Sequence, residues 1–366
     1  MKITCTTENL RSVVAVVERF TGRHITLPIL SYILCRADDK KIIFTATNLE
    51  IGIERHVPGK VQKAGAAVIP AKPFTQLLTT IRDDTITLEA RAQQIILHTP
   101  TADVTIVSLN HNDFPTLPVI KREYTFSVPA QEFTGALERV LPAAATSDLK
   151  PELSGVLLST APATLTLAAT DSFRLAEQTM TDHPGIREEL ACIVPLRTTQ
   201  ELFRSLAAEE GGDVRVSIGE HQAVFEWGGT RILSRLVDGT YPPYRAIIPA
   251  AYETTLLVSR IDLMEKIRMA AVFSSRLNDV TLRFSPTELE VATDNAETGS
   301  TRARLPVKGR GASGSAVFNY RYFSDGLAAA GGENILLSLN GVSGPTLISN
   351  PGDSSYRYLV MPIRSV

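Results

Sequence analysis

Near its start the chain reads as a short strand followed by a segment of helical period. In ITCTTENLRSVVAVVERF, residues Leu10, Val13, Val14 and Val17 fall at i, i+3, i+4 and i+7, the spacing of one apolar helix face. The opening returns in TFSVPAQEFTGALERVLPAA, with Phe133, Ala136, Leu137, Val140 and Leu141 as the stripe, and again in TLLVSRIDLMEKIRMAAVFSS. A second strand and helix follow in AAVIPAKPFTQLLTTIRDD, ACIVPLRTTQELFRSLAAEE and SGSAVFNYRYFSDGLAAAGGE, where Phe74, Leu77, Leu78 and Ile81 give the first copy its apolar face. Alternating runs such as DTITLEARAQQIILHT and DVRVSIGEHQAVFEW then predict hairpin-like strand pairs bounded by Gly, Asp and Asn turns.

These elements recur at a fixed interval. Ala46-Thr47-Asn48, Ala169-Thr170-Asp171 and Ala292-Thr293-Asp294 each close an alternating strand, and their threonines lie 123 residues apart. The pattern predicts an α+β fold of three tandem repeats, 1–120, 121–249 and 250–366, each with two helices packed on antiparallel sheets. The helices are expected to cover one face of each unit while strands pair between neighbouring repeats. The links near Pro118 to Arg122 and near Pro249 to Tyr252 are short and contain proline, which predicts a fixed orientation and a rigid arc.

Composition narrows the function. A chain of 366 residues is too long for one ordinary core, and 44% hydrophobic with 21% charged residues is the balance of a globular protein. No run reaches the roughly 18 apolar residues of a membrane span, and Met1 to Cys5 does not begin a signal peptide, so a cytoplasmic location is expected. Cys5, Cys35 and Cys192 are odd in number and read as reduced core residues. A formal net charge of −2 is unlike a simple electrostatic DNA binder, so any nucleic-acid role must depend on local charge or geometry.

Catalytic and metal-binding patterns are missing. Gly309, Gly311 and Gly314 satisfy G-x-G-x-x-G, but the strand SAVFN follows them where a dinucleotide site needs a helix, so they read as a glycine hairpin. The six histidines are scattered, and Asp148 near Lys150 or Asp113 after His111 reads as a solvated turn. Two classes stay open on this evidence. One is a shaped binding surface without catalysis; the other is a triplicated enzyme or ligand-binding protein, which needs a buried polar cluster between repeats.

Several motifs resemble the bacterial DNA sliding clamp, the beta subunit of DNA polymerase III. They are Thr26-Leu27-Pro28-Ile29-Leu30, Asp113-Phe114-Pro115, the run Ala169 to Ala176 (ATDSFRLA), the run Leu236 to Tyr244 (LVDGTYPPY), and the tail Tyr358 to Arg364 (YLVMPIR). The match runs from end to end of the triplicated chain. It implies a non-catalytic processivity factor, without cofactor or metal, whose head-to-tail homodimer closes into a ring around duplex DNA with helices lining the hole. Retention by encirclement needs few phosphate contacts, which fits the mild net charge. An alternative within the same family is a second-copy clamp dedicated to repair or resistance.

The resemblance also implies sites. Arg23, Lys72, Lys150 and Arg197 are expected to face DNA. A hydrophobic cleft for short peptides of the replicative polymerase, the clamp loader, other polymerases and repair proteins is expected near the tail. Its walls are Leu153, Thr170, Leu175, Pro242 and Ile247, continued by Val342, Val360, Met361 and Pro362. Ser172, Arg174, Asn319 and Tyr322 supply the polar rim. Phe173 stands where many members carry His, and Ser365-Val366 extends the tail, so the shape of the cleft is expected to differ. Val272 with Phe273, and Val104 with Ile106, are expected to form the two sides of the dimer contact.

Overall fold

The computed structural model describes residues 1–22, 26–118, 124–147, 149–209 and 211–363. Arg23, Asp148, the 120/121 repeat boundary, Arg364, Ser365 and Val366 lie outside them. Six α-helices are described, two in each repeat: α1 Thr7–Glu18, α2 Ala71–Thr80, α3 Ala130–Val140, α4 Leu196–Leu206, α5 Arg260–Ala271 and α6 Tyr320–Ala330. The expected stripe of α1 is the buried one, Leu10, Val13, Val14 and Val17, and the Thr6 side chain caps the helix by accepting from the Asn9 amide. In α2, Phe74 and Leu78 are buried and Leu77 half-buried. Arg11 donates to the Leu78 and Ile81 carbonyls at 2.9 and 2.8 Å, satisfying acceptors that the end of α2 leaves open.

The chain forms two compact units, residues 1–131 with 204–236, and residues 132–203 with 237–366. The first holds a five-stranded and an eight-stranded sheet, the second a nine-stranded and a four-stranded sheet. All of their strand pairs are antiparallel, as expected for an α+β fold with hairpin connections. Sequence repeats and compact units do not coincide because strands pair across repeats. In the first unit Thr230–Arg235 of the second repeat pairs with Ile51–Val57 of the first, with Ile232 opposite Ile53. In the second unit Arg174–Met180 pairs with Asp353–Val360, with Leu175 opposite Leu359. Each eight- or nine-stranded sheet is therefore shared by two repeats, and the second repeat is divided between units.

The glycine triad has a packing reason. Lys308–Gly311 is the edge strand of the nine-stranded sheet, paired with Thr254–Ser259. Gly311 has φ of 110°, and a Cβ there would lie 2.1 Å from the Glu253 carbonyl oxygen. Only glycine permits that approach. The following strand Gly314–Asn319 leads into α6, and no phosphate-binding turn is formed.

Candidate functional site: a cleft beside the carboxyl-terminal tail

The Ala-Thr-Asn/Asp motif builds a tight polar turn. Thr170 Oγ1 donates to the Arg174 carbonyl at 2.6 Å and accepts from the Ser172 amide, while Asp171 Oδ1 accepts from the Phe173 and Arg174 amides at 2.9 and 3.0 Å. Ser172 sits at φ of 77°. The first repeat repeats this turn: Thr47 Oγ1 donates to the Ile51 carbonyl, Asn48 Oδ1 accepts from the Glu50 and Ile51 amides, and Leu49 sits at φ of 78°. The short side chains take over the backbone bonds that a left-handed residue would leave unmade. In the third repeat Thr293 turns instead to the Ala270 carbonyl at the end of α5.

In the second repeat the turn is tied to α6. Arg174 donates through Nε to Asp171 at 2.9 Å and through Nη1 to Asp325 at 2.5 Å, and its guanidinium lies 4.1 Å from the Tyr322 ring centroid. Asn319 caps α6 by accepting from the Arg321 and Tyr322 amides, which fixes the first turn that carries Tyr322. The tail is pinned on both sides, by the Met361 amide to the Phe173 carbonyl at 2.8 Å and by the Ile363 amide to the Val317 carbonyl at 2.7 Å. Between these elements opens a cleft of about 510 Å³ lined by Ser172, Phe173, Leu277, Asn319, Tyr322, Met361, Pro362 and Ile363. Apolar walls with a few amide and hydroxyl groups suit a short peptide rather than bond-breaking chemistry.

Three family models of the DNA polymerase III beta subunit match the chain: the N-terminal domain over residues 1–118, the central domain over 127–243 and the C-terminal domain over 245–364. The chain belongs to the DNA polymerase III beta subunit family. Over 373 aligned residues it is 29% identical to the beta sliding clamp of Synechococcus elongatus, covering all of this chain and 99% of that one. It is 27% identical to the beta sliding clamp of Bacillus subtilis, with both chains fully covered. The crystal structure of the DNA polymerase sliding clamp from Bacillus subtilis superposes with a TM-score of 0.95 at 25% identity over both whole chains.

For this member of the beta subunit family, the structure gathers Ser172, Asn319, Tyr322, Met361 and Pro362 into the cleft, with Arg174 beside Tyr322. Leu153 and Leu175 lie in a buried cluster with Leu157, Tyr241, Tyr244 and Leu359. Thr170 and Val360 are also buried, Pro242 is half-buried, and Ile247 and Val342 are exposed. Burial pushes the Tyr241 and Tyr244 hydroxyls well above their ordinary range. Leu277 and Ile363 were not foreseen as lining. Leu277 is 66% exposed in the polar segment after α5, and an isolated apolar residue there is the one signal that could have marked it.

The other expected residues are placed as follows. Val104 and Ile106 are half-buried on Asp103–Val107, the edge strand of the five-stranded sheet. Val272 is 71% exposed at the end of α5. Phe273 packs against Gly299, whose added Cβ would lie 3.1 Å from its ring. Gly299 begins Gly299–Pro306, the edge strand of the four-stranded sheet. Lys72, Lys150 and Arg197 are exposed, in the first turn of α2, the turn before Pro151, and the first turn of α4. Among the described residues no three of His, Cys, Asp or Glu form a group able to hold a metal, and no helix is long and apolar enough to cross a membrane. Burial pushes the Cys5 thiol up to about 11 and the Cys192 thiol up to about 12.

Proposed function

We propose that this chain is a DNA polymerase processivity factor and has no catalytic step of its own. Two copies join head to tail into a ring around duplex DNA, the strand Asp103–Val107 of one meeting the strand Gly299–Pro306 of its partner. Val104, Ile106, Val272 and Phe273 supply the apolar contact. Lys72, Lys150 and Arg197 face the DNA, and the ring works in the cytoplasm. The cleft beside Met361 holds short peptides of the replicative polymerase, the clamp loader and other polymerases and repair proteins.

The observation that carries this reading is the match of all three beta subunit domains, in order, to one chain that also bears an open apolar cleft. The test is retention on nicked circular DNA after incubation with the cognate loader and ATP, before and after the circle is cut. Release on cutting is expected, because a ring held by topology slides off an end. Equal retention on both forms would show direct binding and defeat the proposal.

A further inference from the structure

On the face of the nine-stranded sheet that carries Leu175, Glu177 and Thr179, a polar pocket of about 420 Å³ is lined by Glu177, Thr179, Thr181, Arg245, Ser354 and Arg357, with Ser355 beside them. Its floor is the carboxylate of Glu177, whose side chain is only 6% exposed. Oε2 accepts from the Tyr244 hydroxyl at 2.6 Å and from Arg245 Nε at 3.0 Å, while Oε1 lies 3.9 Å from Arg357 Nη1. That carboxylate is served by its neighbours, and the surplus lies with the cations. Two guanidiniums stand over one carboxylate. Their side chains are 66% and 53% exposed, and the Arg357 guanidinium makes no hydrogen bond among the described residues. Exposed planar forks of N–H donors with hydroxyls beside them match the oxygens of a carboxylate.

The pocket is joined to the cleft through one strand. The turn Tyr244–Ile247 carries Arg245. The strand Asp353–Val360 carries Arg357 and runs directly into Met361. Arg357 precedes the cleft-lining Met361 by four residues, about 13 Å at roughly 3.3 Å per residue. About four residues of extended peptide span that distance.

We propose that the Arg245 and Arg357 pocket takes acidic side chains that flank the apolar segment of a cleft-bound peptide, so that partners are selected by charge as well as by apolar fit. This rests on the peptide-cleft reading above. A neutral peptide then uses the cleft alone, and an acidic flank adds a salt-sensitive contact.

The test uses the full-length protein and a fluorescent peptide from the cognate replicative polymerase, synthesised with three Glu or three Gln appended at either end. With Glu at one end, affinity is expected to rise about fivefold over the Gln form, the size of a few partly exposed ion pairs. The gain should vanish in Arg357→Gln and Arg245→Gln and shrink at high salt. Arg357→Gln should keep the wild-type unfolding midpoint and the wild-type affinity for the Gln peptides. Equal binding of Glu and Gln peptides to the wild type, at both ends, would overturn the inference and leave the cleft standing. Failure of every peptide to bind would overturn the cleft reading, and this inference with it.

Discussion

The guanidinium of Arg174 lies 4.1 Å from the ring centroid of Tyr322 and is flanked by the carboxylates of Asp171 and Asp325. One cation thereby joins a turn of the second repeat to the first turn of α6. Arg174→Ala removes the charge from between two acids and the ring from its stacking partner. Breaking a fully buried pair costs about 3 to 5 kcal/mol. Asp325 is 41% exposed, so a loss nearer 2 kcal/mol is expected. Urea unfolding measures it, with a tenfold or greater loss of peptide affinity by fluorescence polarisation, because Tyr322 lines the cleft. Wild-type values in both assays would show that the stack does not position the site.

The tail makes a separate prediction. Val360 is fully buried and completes its strand, whereas Met361, Pro362 and Ile363 leave the sheet and line the cleft. Deleting residues 361–366 is expected to abolish stimulation of the polymerase while the mass by light scattering stays that of the dimer. Loss of the dimer instead would show that the tail is structural.

Much of this arrangement is legible in the sequence. The stripe of α1 is the buried one, and in α3 Phe133, Ala136, Leu137 and Val140 are buried while Leu141 falls in the turn beyond the helix, because an amphipathic face has one place to go. The repeated Thr-Asn and Thr-Asp dipeptides mark turns of one geometry, because short polar side chains bond their own backbone. The division into two compact units was not legible, since it depends on which edge strands of different repeats pair, and periodicity within a strand carries no partner identity. Leu277 escaped for a related reason: only tertiary packing brings the segment after α5 beside Asn319.

Phe273 lies over Gly299, so the end of α5 and an open sheet edge form one apolar ledge beside the exposed Val272. Truncating a central apolar interface residue commonly costs about 2 kcal/mol or more. Val272→Ala with Phe273→Ala is therefore expected to raise the dimer dissociation constant by about thirtyfold or more. Sedimentation or light scattering across a dilution series measures the shift. An unchanged mass at the lowest concentrations would remove these residues from the contact.

Acid should weaken the first sheet through Glu89. Hydrogen bonds from Arg91 and Lys2 hold its carboxyl down at about 2. Lys2 and Glu89 face each other on neighbouring strands, with Nζ 3.3 Å from Oε2. A carboxyl that is more acidic folded than unfolded lends stability above its unfolded range, near 4.3, and loses it as pH falls toward the folded value. Glu89→Gln should consequently melt below the wild type at pH 7, with the gap closing between about pH 4 and pH 2 as the wild type is protonated. The gap should also narrow in 1 M salt, where screening reduces surface pairs. Thermal midpoints of both proteins at pH 7, 4 and 2.5 decide the matter: a gap of constant size would assign the loss to packing rather than to the ion pair.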